Sequence, residues 1–341
     1  MMSGNIGRQG QSWIFSVPPT LIAAAAIGGP KEGKGPLGAD FDYLFADNRD
    51  GQESFEQMEQ KMLQIACEMA IAKAGCVVND IDFFLCGDLL NQITSSGFTA
   101  RALSRPYFGL FAACATSMEG VILGSLLIAS GAANKIICAA GSHTCTAERQ
   151  FRYPNEYGCQ KPPQSQYTTT AAGAAVIGSE EGTIKITAVT TGRVVDLGVT
   201  DSFNMGGAMA PAFADTITAH LLQRGVSADY YDLILSGDLG RVGRDIALDL
   251  LYRRGIVLNE HRYVDCGCLI YGDDKSVFAG GSGCGCVASV SFGHIYRRLM
   301  TGELNRVLIA ATGALLSPTS SQQKQSIPGI SHAVALERIK Q

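Results

Sequence analysis

Charge is what this chain has least of. Lys, Arg, Asp and Glu make up 17% of its 341 residues, while 46% are hydrophobic; the usual charged share is about 25%. A disordered chain needs the opposite balance, so a packed core is expected. The 27 basic and 31 acidic residues leave a net charge of −4, with no run of five like charges. No basic stripe is present to displace counterions from phosphates, so nucleic acid is not expected as a partner. Long apolar runs are also missing. Gly120 to Ala133 falls short of the roughly 20 helical residues that span a bilayer. The uncharged stretch from Gln9 to Pro30 is interrupted by Ser12, Ser16, Pro18, Pro19 and Thr20, which spoil it as a signal-peptide core. A soluble, cytoplasmic chain is expected. Histidine is sparse, with five residues, so candidates for acid–base work are few.

Glycine, by contrast, is abundant: 40 residues without a G-x-y period, which excludes collagen and suggests tight loops and close backbone packing. The 11 cysteines are odd in number, so one at least is unpaired. Cys67, Cys86 and Cys138 sit in apolar, strand-like contexts where a thiol acts as a small hydrophobe. Cys266/Cys268 and Cys284/Cys286 are spaced too closely for ordinary zinc pairs. Read as strands, each pair would share one face. Packing in a reducing compartment is expected, with no metal held by the protein.

At about 150 residues per domain, the length suggests two domains or one duplicated fold. The sequence favours duplication. IDFFLCGD (81–88) is answered by YDLILSGDL (231–239), 150 residues on, and SGAANKIICAAGS (130–142) by TGELNRVLIAATGA (301–314), 171 residues on. The second half therefore carries extra residues, placed around HRYVDCGCLIYGDD, which reads as a strand pair (Val264 to Tyr271, Val277 to Ala279). Phe55, Met58, Met62, Ile65, Met69 and Ala72 form a helical stripe, with Ser54 and Gln57 as a capping box and Gly75 as its close. Strands alternating with helices predict a mainly parallel sheet in each half. The segment from about Thr116 to Ala129 is apolar nearly all round, which predicts a central helix. The halves are placed at 1–180 and 181–341.

FGLFAACATSMEG (108–120) is the most informative segment. An apolar strand ends at Ala113, Cys114 follows, and the buried helix begins. A thiol there faces the helix N-terminus, which favours thiolate and anion binding. Asp88 and Asp238 close the two equivalent strands, and their symmetry predicts a shared structural duty such as capping the next helix.

AACATS (112–117), GSHT (141–144), TTTAAGAAVIG (168–178) and AGGSGCGCVAS (279–289) resemble the thiolase superfamily, and within it β-ketoacyl-ACP synthase III. The resemblance implies an α/β, thiolase-like αβαβα fold made of two βαβαβ halves. It also implies a histidine and an asparagine, or a second histidine, beside the cysteine. Their positions map onto Gly237-Asp238 and Gly281, so neither group is present. More distinctive strings are PKEGKGPLG (30–38), GDLLNQ (87–92), TAERQFRYPNEYG (146–158), AMAPAFADTI (208–217), FAGGSGC (278–284) and ATGALLSPTSSQQK (311–324). Together they resemble the stage V sporulation protein AD family, thiolase-fold members of the SpoVA group that bind dipicolinic acid.

That resemblance implies a non-catalytic dipicolinate-binding protein that supports uptake into the developing spore. It would be peripheral at the spore inner membrane beside other SpoVA proteins, and a homodimer by analogy with the fold family. Calcium would enter only as part of the dipicolinate chelate, and no other cofactor is implied. The expected ligand contacts are Cys114, Ala115 and Thr116 at one elbow and Gly281 and Ser282 at the other. His143, Arg149 and Arg152 would come from the segment His143 to Tyr157, which also carries Tyr153 and Tyr157. The alternative is an acyl-condensing enzyme with Cys114 as nucleophile and His143 or His332 as base.

Overall fold

The computed structural model describes residues 6–151 and 161–339. A short hairpin of β1 (Ile6–Gln9) and β2 (Ser12–Phe15) leads into the long β3 (Thr20–Gly28), with β4 (Tyr43–Leu44) beside its end. There follow α1 (Phe55–Lys73), β5 (Phe83–Gly87), α2 (Thr94–Leu103) and β6 (Tyr107–Gly109). The first half ends with α3 (Thr116–Ala129), β7 (Lys135–Ser142), α4 (Thr144–Phe151), β8 (Tyr167–Thr168) and β9 (Ala171–Gly178). The second half opens with β10 (Ile184–Thr190), α5 (Met205–Arg224), β11 (Leu233–Ser236), α6 (Gly240–Tyr252) and β12 (Tyr263–Asp265). It continues through α7 (Cys266–Tyr271), β13 (Gly281–Ser282), α8 (Cys284–Ser289), α9 (Tyr296–Thr301), β14 (Arg306–Ala314), α10 (Pro318–Gln322) and β15 (Gly329–Arg338). A π-helical turn over Val290–Ile295 joins α8 to α9.

The duplication is visible in the strand order. The first half runs β6–β5–β7–β9–β3 and the second β12–β11–β14–β15–β10. In both, the first two pairings are parallel and the next two antiparallel. The expected mainly parallel sheet is thus corrected to a mixed one. β9 returns beside β7 and β15 beside β14, and an antiparallel return needs no crossover helix. The halves meet at the antiparallel pair Thr20 and Lys185.

Five layers result. On the outer face of the first sheet, Met58, Met62, Leu63 and Ala66 of α1 pack against Ile27 and Phe84. Phe213, Ile217 and Leu221 of α5 cover the second sheet in the same way. Between the sheets lie α3 and α8, where Met118, Val121, Cys286 and Val287 meet side chains from both. This explains why α3 has no polar face. At about 1.5–3 kcal/mol per fully buried large side chain, this central layer is the main source of cohesion between the halves.

Ser54 caps α1 by accepting from the Gln57 N–H at 3.2 Å, but the Gln57 side chain accepts from Glu53 N–H, so only half of the expected box forms. The strand pair expected after Val264 is corrected more substantially. Asp265 ends β12 and caps α7, so Cys266 and Cys268 lie on a helix and not on one strand face. Cys284 and Cys286 likewise lie in α8.

Candidate functional site

Strand β6 delivers the chain to a tight elbow. Leu110 still donates to Cys86 O at 2.9 Å, after which Ala113 takes a left-handed backbone (φ 48°) that an L-residue adopts at a cost. Thr116 holds this turn: its Oγ1 donates to Ala113 O at 2.7 Å and accepts from Ala112 N–H at 3.0 Å. Cys114 thereby reaches the floor of a pocket with about 980 Å³ of empty space, part of it continuous with solvent. Its walls are Leu89, Phe111, Phe151, Phe203, Met205 and Leu316. Its polar groups are Ser165, Gln166, Thr168, Ser202 and Ser282, so no lining side chain among the described residues is charged. Apolar walls that include three phenylalanines, with a few hydroxyl and amide groups, suit a small aromatic ligand.

Beneath the floor lies Asp238, fully buried and itself left-handed (φ 61°). Its Oδ2 accepts from Gly283 N–H at 3.0 Å at the start of α8, while Oδ1 is buried without a hydrogen-bond partner. Gln166 ties this region together by donating to the carbonyls of Asp238 (2.6 Å) and Gly281 (3.0 Å). Burial pushes the Asp238 carboxyl well above the usual range, opposed by its interactions with the thiols of Cys286 and Cys114. Burial also pushes the Cys114 thiol well up, and the neighbouring Asp238 adds to the effect. The sequence suggested that the helix N-terminus would favour a thiolate. Instead, desolvation and a like-signed neighbour outweigh the helix dipole, and Cys114 is held as a thiol.

The symmetrical duty expected of Asp88 and Asp238 is also corrected. Asp88 accepts from Leu90 N–H, Ser96 N–H and Ser96 Oγ at 2.7–2.8 Å, tying down the start of α2. In the second half that work falls to Asp265, which accepts from Ser236 Oγ, Leu239 N–H and Gly240 N–H. Asp238 is left for the site.

Of the expected ligand residues, Cys114 and Ser282 line the pocket. Ala115 and Thr116 are buried behind the elbow, with the Thr116 hydroxyl occupied by the turn. Gly281 pairs with Tyr167 in the β8–β13 ladder. His143 is buried away from the pocket lining. Its Nε2 donates to Asn48 O at 2.9 Å, its Nδ1 accepts from Cys145 N–H, and burial lowers its pKa to about 4. Arg149 pairs with Glu56 on α1, with its side chain 62% exposed. Arg152, Tyr153 and Tyr157 lie outside the described residues. His332 is buried in β15, lowered by desolvation to about 4, and accepts from Gly192 N–H. The pocket therefore lacks a histidine among its described lining residues. Of the walls that sequence reasoning missed, Phe203 comes from a turn with no local pattern, Met205 opens α5, and Leu316 lies in the 311–324 string but was not read as a wall. Ser165 to Thr168 were marked only by adjoining the 168–178 string.

Comparison with known proteins agrees with this architecture. The structure resembles β-ketoacyl-ACP synthase III from Aquifex aeolicus (TM-score 0.60, 12% identity, covering 94% of this chain and 99% of that one). It also resembles OleA from Xanthomonas campestris solved with cerulenin (TM-score 0.61, 11% identity, 93% and 96%). A thiolase from Ascaris suum, solved in complex with coenzyme A, gives a TM-score of 0.58 at 10% identity, covering 94% and 100%. These likenesses show a thiolase-like fold. In sequence, the chain is 48% identical over 328 residues to stage V sporulation protein AD of Bacillus subtilis, covering 96% of this chain and 97% of that one. The model of that family matches residues 9–337. A thiolase-like chain with an aspartate under its elbow cysteine thus belongs to the stage V sporulation protein AD family.

Proposed function

We propose that this sporulation protein binds dipicolinate in the Cys114 pocket without turning it over. The observation that carries the reading is an apolar, partly aromatic pocket, uncharged among its described lining residues, that ends on a thiol which burial and Asp238 keep protonated. A nucleophilic site needs the thiolate. A binding site needs shape and hydrogen bonds, which the aromatic walls and the Ser, Thr and Gln groups supply. Charge further favours the calcium chelate as ligand. Free dipicolinate is a dianion, and the described lining residues offer it no cation, whereas the one-to-one chelate is neutral and escapes the cost of burying unpaired charge. Uptake into the developing spore would follow from delivery to other SpoVA proteins at the inner membrane. No helix among the described residues is long and apolar enough to cross a membrane, so membrane attachment would come through those partners. Phe98, Phe108 and Phe111 are exposed around α2 and β6, a face suited to a second copy in a homodimer.

Calorimetric titration tests the reading with dipicolinate, with and without calcium, and phthalate as control. Specific binding of dipicolinate, stronger with calcium, is expected. Cys114→Ser should change affinity by less than about tenfold, or 1.4 kcal/mol, and Cys114→Leu should weaken it by tenfold or more through overpacking. Equal weak binding of dipicolinate and phthalate would overturn it. The elbow at Ala113 and Cys114 also supports a second reading, acyl transfer. An acyl adduct after incubation with acyl-CoA, absent in Cys114→Ser and followed by turnover, would establish it instead.

A further inference from the structure

Beside the Cys114 pocket lies a second hollow of about 810 Å³, and the two share Leu89, Phe111, Phe151 and Leu316. The turn from Leu89 to Ile93 lines the second hollow, and Leu89 lines both. Its backbone is strained. Gln92 (φ 55°, ψ 25°) and Ile93 (φ 47°, ψ 53°) are successive left-handed residues, and neither is glycine. A β-branched residue in that region is a genuine outlier, so the surroundings must hold it there. Two side chains do so. Asp88 accepts from Leu90 N–H and reaches on to Ser96. Gln150, near the end of α4, closes a clamp from the other side: its Oε1 accepts from Asn91 N–H at 3.0 Å, and its Nε2 donates to Leu89 O at 3.0 Å. The next residue, Phe151, lines both hollows.

We propose that the Leu89–Ile93 turn is a gate between the two hollows, latched by Gln150, and that its release opens a second route to Cys114. The strain supplies the tendency to open and the amide clamp the resistance. Buried Asp88 remains as the hinge at the base of the turn. The inference rests on the geometry of the pocket and not on which ligand fills it, so a negative dipicolinate titration leaves it standing.

The test uses the full chain without ligand. Alkylation by iodoacetamide is followed by peptide mass mapping of Cys114, with Cys138, buried in the core, as reference. Gln150→Leu removes the clamp and should speed Cys114 alkylation at least threefold while leaving Cys138 unchanged. Gln92→Asn places a residue that tolerates the left-handed region at an exposed position, and should slow Cys114 alkylation about twofold. Opposite shifts in the two variants support the gate. Equal acceleration at Cys138, or an unchanged Cys114 rate in Gln150→Leu, overturns it. If Gln150→Leu does not fold, Gln92→Asn decides alone, and an unchanged rate there overturns the proposal.

Discussion

Asp238 is the residue on which most of the site's chemistry turns. It is fully buried, with one oxygen bonded to Gly283 N–H and the other without a hydrogen-bond partner, beside two thiols. Its folded-state pKa is raised, so the folded protein holds this proton more tightly than the unfolded chain. Stability from that difference is fully present below the unfolded value near 3.8 and is lost as pH rises toward the folded value. Asp238→Asn keeps an acceptor for Gly283 and removes the titration. Its stability relative to the parent should therefore increase with pH, at up to about 1.4 kcal/mol per pH unit within that window. Thermal melts of both proteins between pH 4 and 8 check this. A relative stability of the Asn variant that stays constant between pH 5 and 8 would show that Asp238 ionises in the fold as it does in the unfolded chain. The same substitution should bring the onset of Cys114 alkylation to lower pH, because the like-signed neighbour is gone.

At the scale of the elements, small residues decide how closely helices sit on sheets. A Cβ on Gly285 of α8 would lie 2.0 Å from Ala171 O on β9, so this helix rests against strand backbone. Gly97 of α2 is exposed, and nothing lies within 4 Å of a Cβ there. Gly285→Ala should force the central helix off its strand and lower the melting temperature by several degrees or abolish soluble expression. Gly97→Ala should raise stability by about 0.5–1 kcal/mol through helix propensity alone. If the two melt alike, close seating of α8 is not what the glycine serves. Regular elements of this kind were the legible part of the sequence. The segment from Phe55 to Ala72 and the all-apolar run from Thr116 became α1 and α3 as expected, although the buried face of α1 runs through Met58, Met62, Ala66 and Ala70 and leaves Ile65 and Met69 half-buried and Ala72 exposed. The segment after Val264 was misread because the alternation of Cys266 and Cys268 looks like a strand, whereas the cap from Asp265 makes a helix of it. Asp238 was misread because burial beside a distant elbow leaves no trace in local sequence. The pocket wall at Phe203 was illegible for the same reason.

For the whole molecule, the question is what joins two similar halves besides the central layer. One answer is Glu32, fully buried in the loop after β3. Its Oε1 accepts from Thr170 N–H at 3.0 Å in the first half and from the Tyr271 hydroxyl of α7 in the second. Burial raises the Glu32 carboxyl, and its Oε2 has no hydrogen-bond partner. Such a group depends on each bond it has, since losing one leaves more buried polar surface unpaired at about 1–3 kcal/mol. In a double-mutant cycle of Glu32→Gln and Tyr271→Phe, chemical denaturation should give a coupling energy of about 1 kcal/mol or more. Additive effects would mean the contact does not latch the halves.

The strand order has a further consequence for how the chain is made. Apart from two residues of β4, strand β3 pairs with β9 and β10, which begin at Ala171 and Ile184. At roughly 5–20 residues per second, a ribosome leaves this early strand without its main partners for on the order of ten seconds. An unpaired strand rich in β-branched and aromatic residues would then invite neighbouring nascent chains to add to its edges. The stretch Ala23–Ala26 places four alanines at its centre, small residues with little β-propensity, so a strand that waits this long for its place is also poorly suited to pairing with anything else.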